Sequence, residues 1–504
     1  MTRPIIQISG GICKMPRWRM RKPVDFTLFD DEHMAIVGRN GSGKSMLVDI
    51  LTGRHPLLAD QIAYDFSDCN SPLASDNIRY IAFRDTYGGD NDRTYFLQQR
   101  WNQMEIDAET PTAGEKLEEA FLLAGSDSPE RRRQQQRLYD RFGMQQLLDK
   151  KMILLSSGEL RKLKLLSALF ATPRVLIIDN PFIGLDSDTR NNLAQLLEEI
   201  AHASGNPQEA YATKCQVILV LSRPEEIPQF VGTVVEVDNM TVGERQKRDT
   251  YIYNNVAPSE AILPDDKRQQ ITKLPTHAST ADSKEVVRMT DVSIRYGNRT
   301  ILSSLNWVVG KGERWALSGQ NGAGKSTLLS LICADNPQAY ACDIALFGRS
   351  RGSGETIWQI KKHIGYVSPE MHRSYNRPIP TVKVVASGLT DSVGLYVRTT
   401  DDDRQKCLFW MDIFGIKDKA DTLFTELSSG EQRLALLARA FVKDPELLIL
   451  DEPLHGLDNF NRQLAKDVIT TFCQRPDKTL IMVTHYEEEL PPIITNRLHL
   501  LRHE

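Results

Sequence analysis

The chain has 504 residues. This is about three times the usual length of one domain, so two or more hydrophobic cores are expected. With 41% hydrophobic and 25% charged residues, the composition excludes a collagen-like, low-complexity or wholly disordered protein. The net charge of -4 does not favour a basic nucleic-acid coat or a basic membrane anchor. No apolar run reaches the roughly 18 residues of a membrane span and the first residues lack a secretory signal, which predicts a cytoplasmic protein, either free or on the inner face of the cell membrane.

Several segments of the chain occur twice. GRNGSGKS at 38–45 returns as GQNGAGKS at 319–326, LSSGELRK at 155–162 returns as LSSGEQRL at 427–434, and VLIIDNPFIGLD at 175–186 returns as LLILDEPLHGLD at 447–458. We therefore predict two homologous domains in tandem, at 1–240 and 285–504. The segment 241–284 carries prolines and polar residues without apolar periodicity and is predicted to be a linker. Within each copy, apolar strands alternate with helical segments, which predicts an α/β fold with a mostly parallel sheet.

The first repeated segment has the pattern GxxxxGK[ST], called the P-loop, in which small residues let backbone N–H groups converge on phosphate oxygens at the start of a helix. The lysine (Lys44 or Lys325) neutralises the β- and γ-phosphates, and the serine (Ser45 or Ser326) ligates a Mg²⁺ ion that bridges them. ATP and Mg²⁺ are therefore the expected ligands. The predicted nucleotide-binding residues are Gly38, Arg39, Asn40, Gly41, Ser42, Gly43, Lys44 and Ser45 in the first domain, and Gly319, Gln320, Asn321, Gly322, Ala323, Gly324, Lys325, Ser326 and Thr327 in the second.

An acidic residue ends each of the repeated apolar runs. A single run of this kind is typical of a core strand that ends in a turn. Here both runs follow a P-loop at repeated spacing, so we predict that Asp179 and Asp451 hold the Mg²⁺ shell together with Ser45 and Ser326.

The LSSGE segments resemble the signature sequence of ATP-binding cassette (ABC) ATPases, and the order of the repeated motifs matches that family over nearly the whole chain. The resemblance implies ATP hydrolysis by domains that combine the parallel core sheet with an antiparallel subdomain and a helical subdomain. It also implies that two domains close head to tail, within one chain or as a homodimer, with ATP between the P-loop of one and the signature of the other. The signature residues that would complete the γ-phosphate site are Ser156, Gly158, Ser428 and Gly430.

The two domains differ at positions that this family uses for catalysis. In the second domain, Glu452 follows Asp451 and can polarise the attacking water, and His485 stands where the resemblance implies a histidine that contacts the γ-phosphate. Asn180 and Arg223 occupy these two positions in the first domain. We therefore predict that hydrolysis occurs mainly with the second P-loop, while the first P-loop holds ATP. The alternative is that Asn180 orients water and the first site stays active.

Two further features of the family bear on nucleotide binding. By resemblance, an aromatic residue before the P-loop stacks on adenine, and Tyr296 fits this position in the second domain. Trp18 is the candidate in the first domain, and a packed surface aromatic is the alternative. The usual glutamine that links nucleotide to partner is absent, since YIAF at 80–83 and YVSP at 366–369 occupy its place.

The segment 346–368 of the second domain resembles tandem ATP-binding proteins associated with molybdate transport. Its residues Arg349, Arg351, Lys361 and Lys362 form a basic cluster around glycines. A solvated face and a loop that contacts an oxyanion or a partner both fit this pattern.

The resemblance implies an ATPase that energises or regulates transport, of molybdate, with a membrane permease on a separate chain as its partner. The alternative is a cytosolic ATPase that acts as a regulatory switch on the ribosome or on nucleic acid. A linker of about 45 residues without a long charged helix favours the transport function. Because the net charge is near zero, nucleic acid is not an expected partner.

Overall fold

A computed structural model gives the structure of the protein and describes residues 2–58, 61–83, 110–182, 185, 187–203, 214–251, 262–275, 284–297, 299–369, 371, 375, 378–392 and 399–502. These residues form two compact units, the first up to residue 251 and the second from residue 262. No helix within these ranges is long and apolar enough to cross a membrane.

The first unit combines two sheets with helices. Its strands are β1 (Pro4–Gly11), β2 (Val24–Phe29), β3 (Met34–Val37), β4 (Ile62–Tyr64), β5 (Ile78–Ala82), β6 (Val175–Asp179), β7 (Gln216–Leu221), β8 (Thr233–Asp238) and β9 (Thr241–Lys247). Its helices are α1 (Lys44–Leu51), α2 (Ala74–Asn77), α3 (Ala113–Leu123), α4 (Pro129–Phe142), α5 (Ser157–Leu169) and α6 (Ser187–Ala201). The main sheet has the order β5-β6-β7-β3-β8-β9, parallel except for β9, and β2-β1-β4 form an antiparallel sheet.

The second unit repeats this plan. Its strands are β10 (Glu285–Tyr296), β11 (Arg299–Gly310), β12 (Arg314–Gly319), β13 (Asp343–Leu346), β14 (Arg349–Ser350), β15 (Ile364–Val367), β16 (Leu447–Asp451), β17 (Thr479–Val483) and β18 (Asn496–Leu500). Its helices are α7 (Asp265–Thr272), α8 (Lys325–Ile332), α9 (Ile357–Lys361), α10 (Thr381–Ala386), α11 (Asp401–Ile413), α12 (Ser429–Phe441) and α13 (Asn459–Cys473). The parallel sheet has the order β15-β16-β17-β12-β18, and β11-β10-β13-β14 form an antiparallel sheet.

The predicted α/β class, with a parallel core sheet, an antiparallel sheet and a helical part in each unit, is confirmed. Strand β6 shows why the sequence folds this way: its first four side chains are buried, as expected for a parallel strand covered on both faces. In the first unit, β3 leads into the P-loop and lies next to β7, which precedes Arg223; β7 in turn lies next to β6, which ends in Asp179. In the second unit, β12, β17 and β16 have the same order, with His485 after β17 and Asp451 at the end of β16. Parallel strands end at one edge, so the candidate site residues of each unit meet there.

The segment 241–284, predicted to be a linker, contains two elements that belong to the folded units. Strand β9 pairs antiparallel with β8 and extends the main sheet of the first unit. Helix α7 packs against α13 of the second unit, where its Ile271 is fully buried. The backbone N–H of Leu263 donates to Asp467 of α13 at 3.1 Å, and Arg475 donates to the backbone oxygen of Pro275 at 3.2 Å. Residues 241–247 and 262–275 are therefore parts of domains rather than of a linker.

Buried charges also hold the second unit together. Asp444 accepts hydrogen bonds from Arg475 at 2.9 Å and from Lys478 at 3.0 Å, and the side chains of these two cations are 4% and 1% exposed. Lys443 pairs with Asp391 in a second buried contact. Each of these charged side chains depends on its partner, because a buried charge without a counter-ion lowers the stability of the folded state.

Candidate functional site

The P-loop of the first unit connects β3 to α1. Its lysine, Lys44, is 7% exposed and donates to the backbone oxygens of Gly38 at 2.6 Å and Arg39 at 2.8 Å. Gly38 and Gly43 have φ angles of 158° and 108°, in the region that favours glycine. A Cβ on Gly38 would lie 2.1 Å from the backbone oxygen of Val237. The close approach of the loop to β8 therefore requires glycine.

The other predicted ligands of this loop differ in exposure and in their contacts. Asn40 accepts a hydrogen bond from Ser222 at 3.0 Å, which ties the loop to the end of β7. Ser42 Oγ is buried and has no hydrogen-bond partner in the described part of the chain. Gly41 has open space beside it, and Ser45 is exposed at the start of α1.

The second P-loop, between β12 and α8, has the same geometry. Lys325 donates to the backbone oxygens of Gly319 at 2.5 Å and Gln320 at 3.1 Å. A Cβ on Gly319 would lie 2.6 Å from the backbone oxygen of Leu500 on β18. Ala323 and Thr327 are buried, Asn321 and Ser326 are half-buried, and Gly322 and Gln320 are exposed.

Both loops suit a phosphate group. Helices α1 and α8 start after Gly43 and Gly324, and neither has a side-chain cap, whereas α3, α5 and α12 each carry a capping box. The first backbone N–H groups of a helix need a partner, and phosphate oxygens are a favourable one. The lysine ammonium groups donate to backbone oxygens of the same loops. The residues present therefore fit a bound nucleotide.

The carboxylate predicted to hold Mg²⁺ in the first unit, Asp179, is fixed from two sides. Tyr80 donates its hydroxyl to Oδ2 at 3.0 Å, and Asn180 donates its amide to Oδ1 at 2.8 Å. Tyr80 occupies β5, the strand where the family's glutamine is missing. In the second unit, Asp451 ends β16 with 6% exposure. One carboxylate and one serine at the edge of a phosphate site fit Mg²⁺, which takes its remaining ligands from phosphate and water.

Glu452 is held between two imidazoles. His485 Nε2 lies 3.2 Å from Oε1, and His455 Nδ1 lies 3.1 Å from Oε2. Burial would raise the pKa of the Glu452 carboxyl, but the hydrogen bonds from the two histidines hold it well below its usual range. The carboxylate is therefore ionised at neutral pH, as a group that accepts a proton from water must be.

His455 is the site residue that the motif analysis missed. It lies three residues after Glu452, in the turn that leads from β16 to α13. A signal was present, because the repeated segment reads LHGLD in the second domain and FIGLD in the first.

The first unit lacks this arrangement. Asn180 donates to Asp179 instead of presenting a carboxylate. Arg223 pairs with Glu226 at 3.4 Å, and both side chains are about nine-tenths buried. Asn180 and Glu452 nevertheless share a left-handed backbone, with φ angles of 50° and 48°.

The two signature segments start helices α5 and α12. Ser156 caps α5 by accepting from Glu159 N at 3.3 Å, and Ser428 caps α12 by accepting from Glu431 N at 3.3 Å. Gly158 and Gly430 follow in the first turns and are buried. A Cβ on Gly158 would lie 2.7 Å from the Thr189 methyl group, so this position also requires a small residue.

The two candidate adenine-stacking aromatics occupy equivalent places. Tyr296 accepts from Asn336 at 2.9 Å, four residues after the end of α8. Trp18 stacks on His55, four residues after the end of α1, with ring centroids 4.1 Å apart. His55 covers one face of the Trp18 ring, and the Arg17 guanidinium lies 4.6 Å from its centroid. Adenine stacking by Tyr296 and Trp18 stays a prediction.

Two residues of the basic cluster of the second unit, Arg351 and Lys361, form ion pairs within the chain. Arg351 and Glu355 form a buried ion pair at 2.6 Å, and Glu355 also accepts from the backbone N–H of Gly352 at 2.9 Å. Lys361 pairs with Asp335 at 2.6 Å. Glu355 thus binds both the Arg351 side chain and the backbone of this glycine-rich turn.

Comparison with known proteins agrees with this geometry. The ABC transporter family model matches residues 21–183 and 302–455. The chain belongs to the ABC transporter family. It is 37% identical to the ABC transporter ATP-binding protein ModF of Escherichia coli, over 98% of this chain and 96% of that protein. An uncharacterized ABC transporter ATP-binding protein of Schizosaccharomyces pombe, C323.04, is 29% identical over 96% of this chain and 95% of its own length.

The ABC assignment agrees with the fold and makes the protein an ATPase that binds ATP. Among solved structures, the archaeal ribosome recycling factor aABCE1, in complex with the ribosomal stalk protein aP1, is 16% identical with a TM-score of 0.49. That match covers 94% of this chain and 85% of the other.

Proposed function

We propose that this ABC protein hydrolyses ATP mainly with the residues of its second unit, Lys325, Glu452 and His485, and that the P-loop of the first unit binds ATP and turns it over slowly. The observation that carries the proposal is the ionised Glu452 carboxylate held between two histidines at the strand edge that also carries the P-loop. The first unit has an amide at the same backbone position.

The side chains of the second unit have separate tasks in this proposal. Lys325 neutralises the β- and γ-phosphates, and Ser326 and Asp451 hold Mg²⁺, which supplies positive charge to the phosphate oxygens when bound. Glu452 accepts the proton of the attacking water, and His485 contacts the γ-phosphate. Asp179 and Ser45 hold Mg²⁺ in the first unit, where Tyr80 and Asn180 orient the carboxylate.

The signatures complete each site from the opposite unit in this proposal. Ser428 and Gly430 face the nucleotide on the first P-loop, and Ser156 and Gly158 face the nucleotide on the second. The different residues of the two units, Glu452 with His485 in one and Asn180 with Arg223 in the other, support one fast and one slow site. The units close within one chain or between two copies.

Steady-state ATPase rates of Glu452→Gln and Asn180→Glu test the division of work. Glu452→Gln keeps the size of the side chain and removes the base, so kcat is expected to fall by about 10²-fold or more. Asn180→Glu is tolerated by the backbone, because Glu452 already adopts the same φ, and should raise turnover only modestly since Arg223 replaces the histidine. If Glu452→Gln retains most of the turnover, the second site is not the main site.

We propose further that ATP-driven closure energises or regulates transport through a permease on a separate chain, with molybdate as the transported oxyanion. Similarity to ModF over nearly the full length supports the transport class. The test is to purify the protein from membranes with its bound partners and to measure ATPase activity with molybdate and, as the control, sulfate. A permease that stimulates the ATPase with molybdate but not sulfate supports the proposal. Salt-sensitive sedimentation with ribosomes or nucleic acid, without a permease, would instead support the regulatory switch.

A further inference from the structure

We propose that His455 is a positioning residue that fixes the Glu452 carboxylate for activation of the attacking water in the second unit. The inference rests on the proposed role of Glu452 and adds a residue that neither the motifs nor the family resemblance pointed to. His455 Nδ1 donates to Oε2 of Glu452 at 3.1 Å, while His485 Nε2 donates to Oε1 at 3.2 Å.

The two histidines hold different oxygens of one carboxylate. The last torsion of a glutamate side chain is broad and roughly two-fold, so a single donor leaves the carboxylate free to turn. Two donors on separate oxygens define its plane. The side chains of His455, His485 and Glu452 are 10%, 11% and 17% exposed, so water competes little for these bonds.

The backbone of Glu452 is fixed independently of its side chain. Its carbonyl oxygen accepts from Arg433 Nη2 at 2.9 Å and from the backbone N–H of His455 at 3.3 Å, and its own N–H donates to Val483 on β17 at 2.9 Å. A left-handed φ of 48° at a glutamate is a strained conformation that the surrounding structure must impose. With the backbone held in this way, the remaining freedom of Glu452 lies in its side chain, where His455 acts.

The other ring nitrogen of His455 argues against a packing role. His455 Nε2 is buried and has no hydrogen-bond partner among the described residues. A buried, unpaired ring nitrogen costs free energy, and an apolar side chain of similar size would avoid that cost. The chain itself uses such a residue in its other copy, where the aligned position is Ile183.

The two copies of the motif provide an internal comparison. The second copy has Glu452, His455 and His485, and the first has Asn180, Ile183 and Arg223 in their places. The backbone at the first of these positions is the same in both, with φ near 50°. The copy with the carboxylate at the first position thus has an imidazole at the second, and the copy without the carboxylate has none there, as expected if His455 positions Glu452.

Substitution of His455 tests the inference in the full-length chain. His455→Ile installs the residue of the first copy, His455→Leu is a second apolar variant in case the first does not fold, and His455→Asn keeps an N–H donor near the position of Nδ1. The apolar variants are expected to lower kcat about tenfold or more with the KM for ATP unchanged, because the carboxylate is misplaced but the nucleotide contacts are intact. His455→Asn should recover most of the loss.

Substitution of His363 is the matched control, because it removes a similar histidine–glutamate pair away from the site. His363 Nδ1 lies 2.7 Å from Glu446, just before the starts of β15 and β16, at the edge opposite Asp451. His363→Leu should change the melting temperature and leave kcat within about twofold of wild type, since it lies about one strand length from the chemistry. An equal loss of kcat in His363→Leu and His455→Leu would overturn the inference.

Combination with Glu452→Gln separates this inference from the proposed function. If His455 acts through Glu452, adding His455→Ile to Glu452→Gln causes little further loss of kcat. Wild-type or raised turnover in the apolar variants, or no recovery in His455→Asn, refutes the role of His455 while Glu452→Gln still reports on the site. If Glu452→Gln itself retains turnover, the proposed function fails and the inference fails with it.

Discussion

Replacement of Gly319 by alanine should weaken nucleotide binding at the second P-loop. Gly319 has a φ of 147°, and a Cβ there would lie 2.6 Å from the backbone oxygen of Leu500. Carbon–oxygen contacts of this kind need more than 3 Å, so either the loop or β18 must move by about half an ångström. The backbone oxygen of Gly319 is also an acceptor for the Lys325 ammonium group, which would move with it.

Two terms set the magnitude. A left-handed backbone costs a non-glycine residue about 1–2 kcal/mol. Forcing an extra methyl group into a closed site costs a further 1–3 kcal/mol. Gly319→Ala should therefore destabilise the second unit by about 2–5 kcal/mol and lower kcat/KM for ATP about tenfold or more.

Gly415→Ala is the matched control. Gly415 has a φ of 72° and nothing within 4 Å of an added Cβ, so this variant carries the backbone term without the clash. Urea unfolding and ATPase kinetics of the two variants separate the terms. If Gly319→Ala loses no more stability than Gly415→Ala and keeps wild-type kcat/KM, the steric argument for the P-loop is refuted.

Three further predictions follow from buried groups. Asp444→Asn leaves the buried Arg475 without the carboxylate it pairs with, whereas Lys478 keeps its ion pair with Asp477 at 3.1 Å, and the change should lower the stability of the second unit by about 3–5 kcal/mol in urea unfolding; a loss below about 1 kcal/mol would contradict the burial argument. Burial, only partly offset by Asp391, lowers the pKa of Lys443 to about 8, so the unfolded state binds more protons than the native state above pH 8. The free energy of unfolding of the wild type, relative to that of Lys443→Met, should therefore rise with pH from about 8 until the lysine of the unfolded state has also lost its proton. If the two free energies of unfolding change with pH in parallel, the pKa of Lys443 is not lowered. Gly158→Ala should destabilise the first unit by about 1–3 kcal/mol through contact with the Thr189 methyl group, and adding Thr189→Ser, which removes that methyl, should restore most of the loss in thermal unfolding.

The phosphate-binding loops were predictable from the sequence because their chemistry is local. Glycines at fixed spacing, a lysine and the start of a helix lie within eight residues, and the structure keeps them together in both units. The pairing of Asp179 with Tyr80 was not predictable in the same way, because 99 residues separate them. They meet because β5 and β6 are neighbours in the sheet.

Strand β9 lies beyond the predicted end of the first domain at residue 240. It follows β8 after a tight turn at Asn239 and Met240, which have φ angles of 46° and 57°. Hairpin turns with two left-handed residues usually carry asparagine followed by glycine. Methionine in the second position hides the turn from sequence analysis, and the polar residues of β9 resemble a linker.

The sequence alone determined that this protein has two copies of one nucleotide-binding domain and that their catalytic positions differ, because repeats, glycine spacing and the identity of residue 180 or 452 are properties of the chain. The tertiary structure decided which groups surround those positions. The order of parallel strands brings the ends of β12, β16 and β17 to one edge, and the turn after Glu452 folds His455 back onto its carboxylate. Contacts of this kind depend on strand order and on the left-handed backbone at residue 452, and neither is encoded in a short motif.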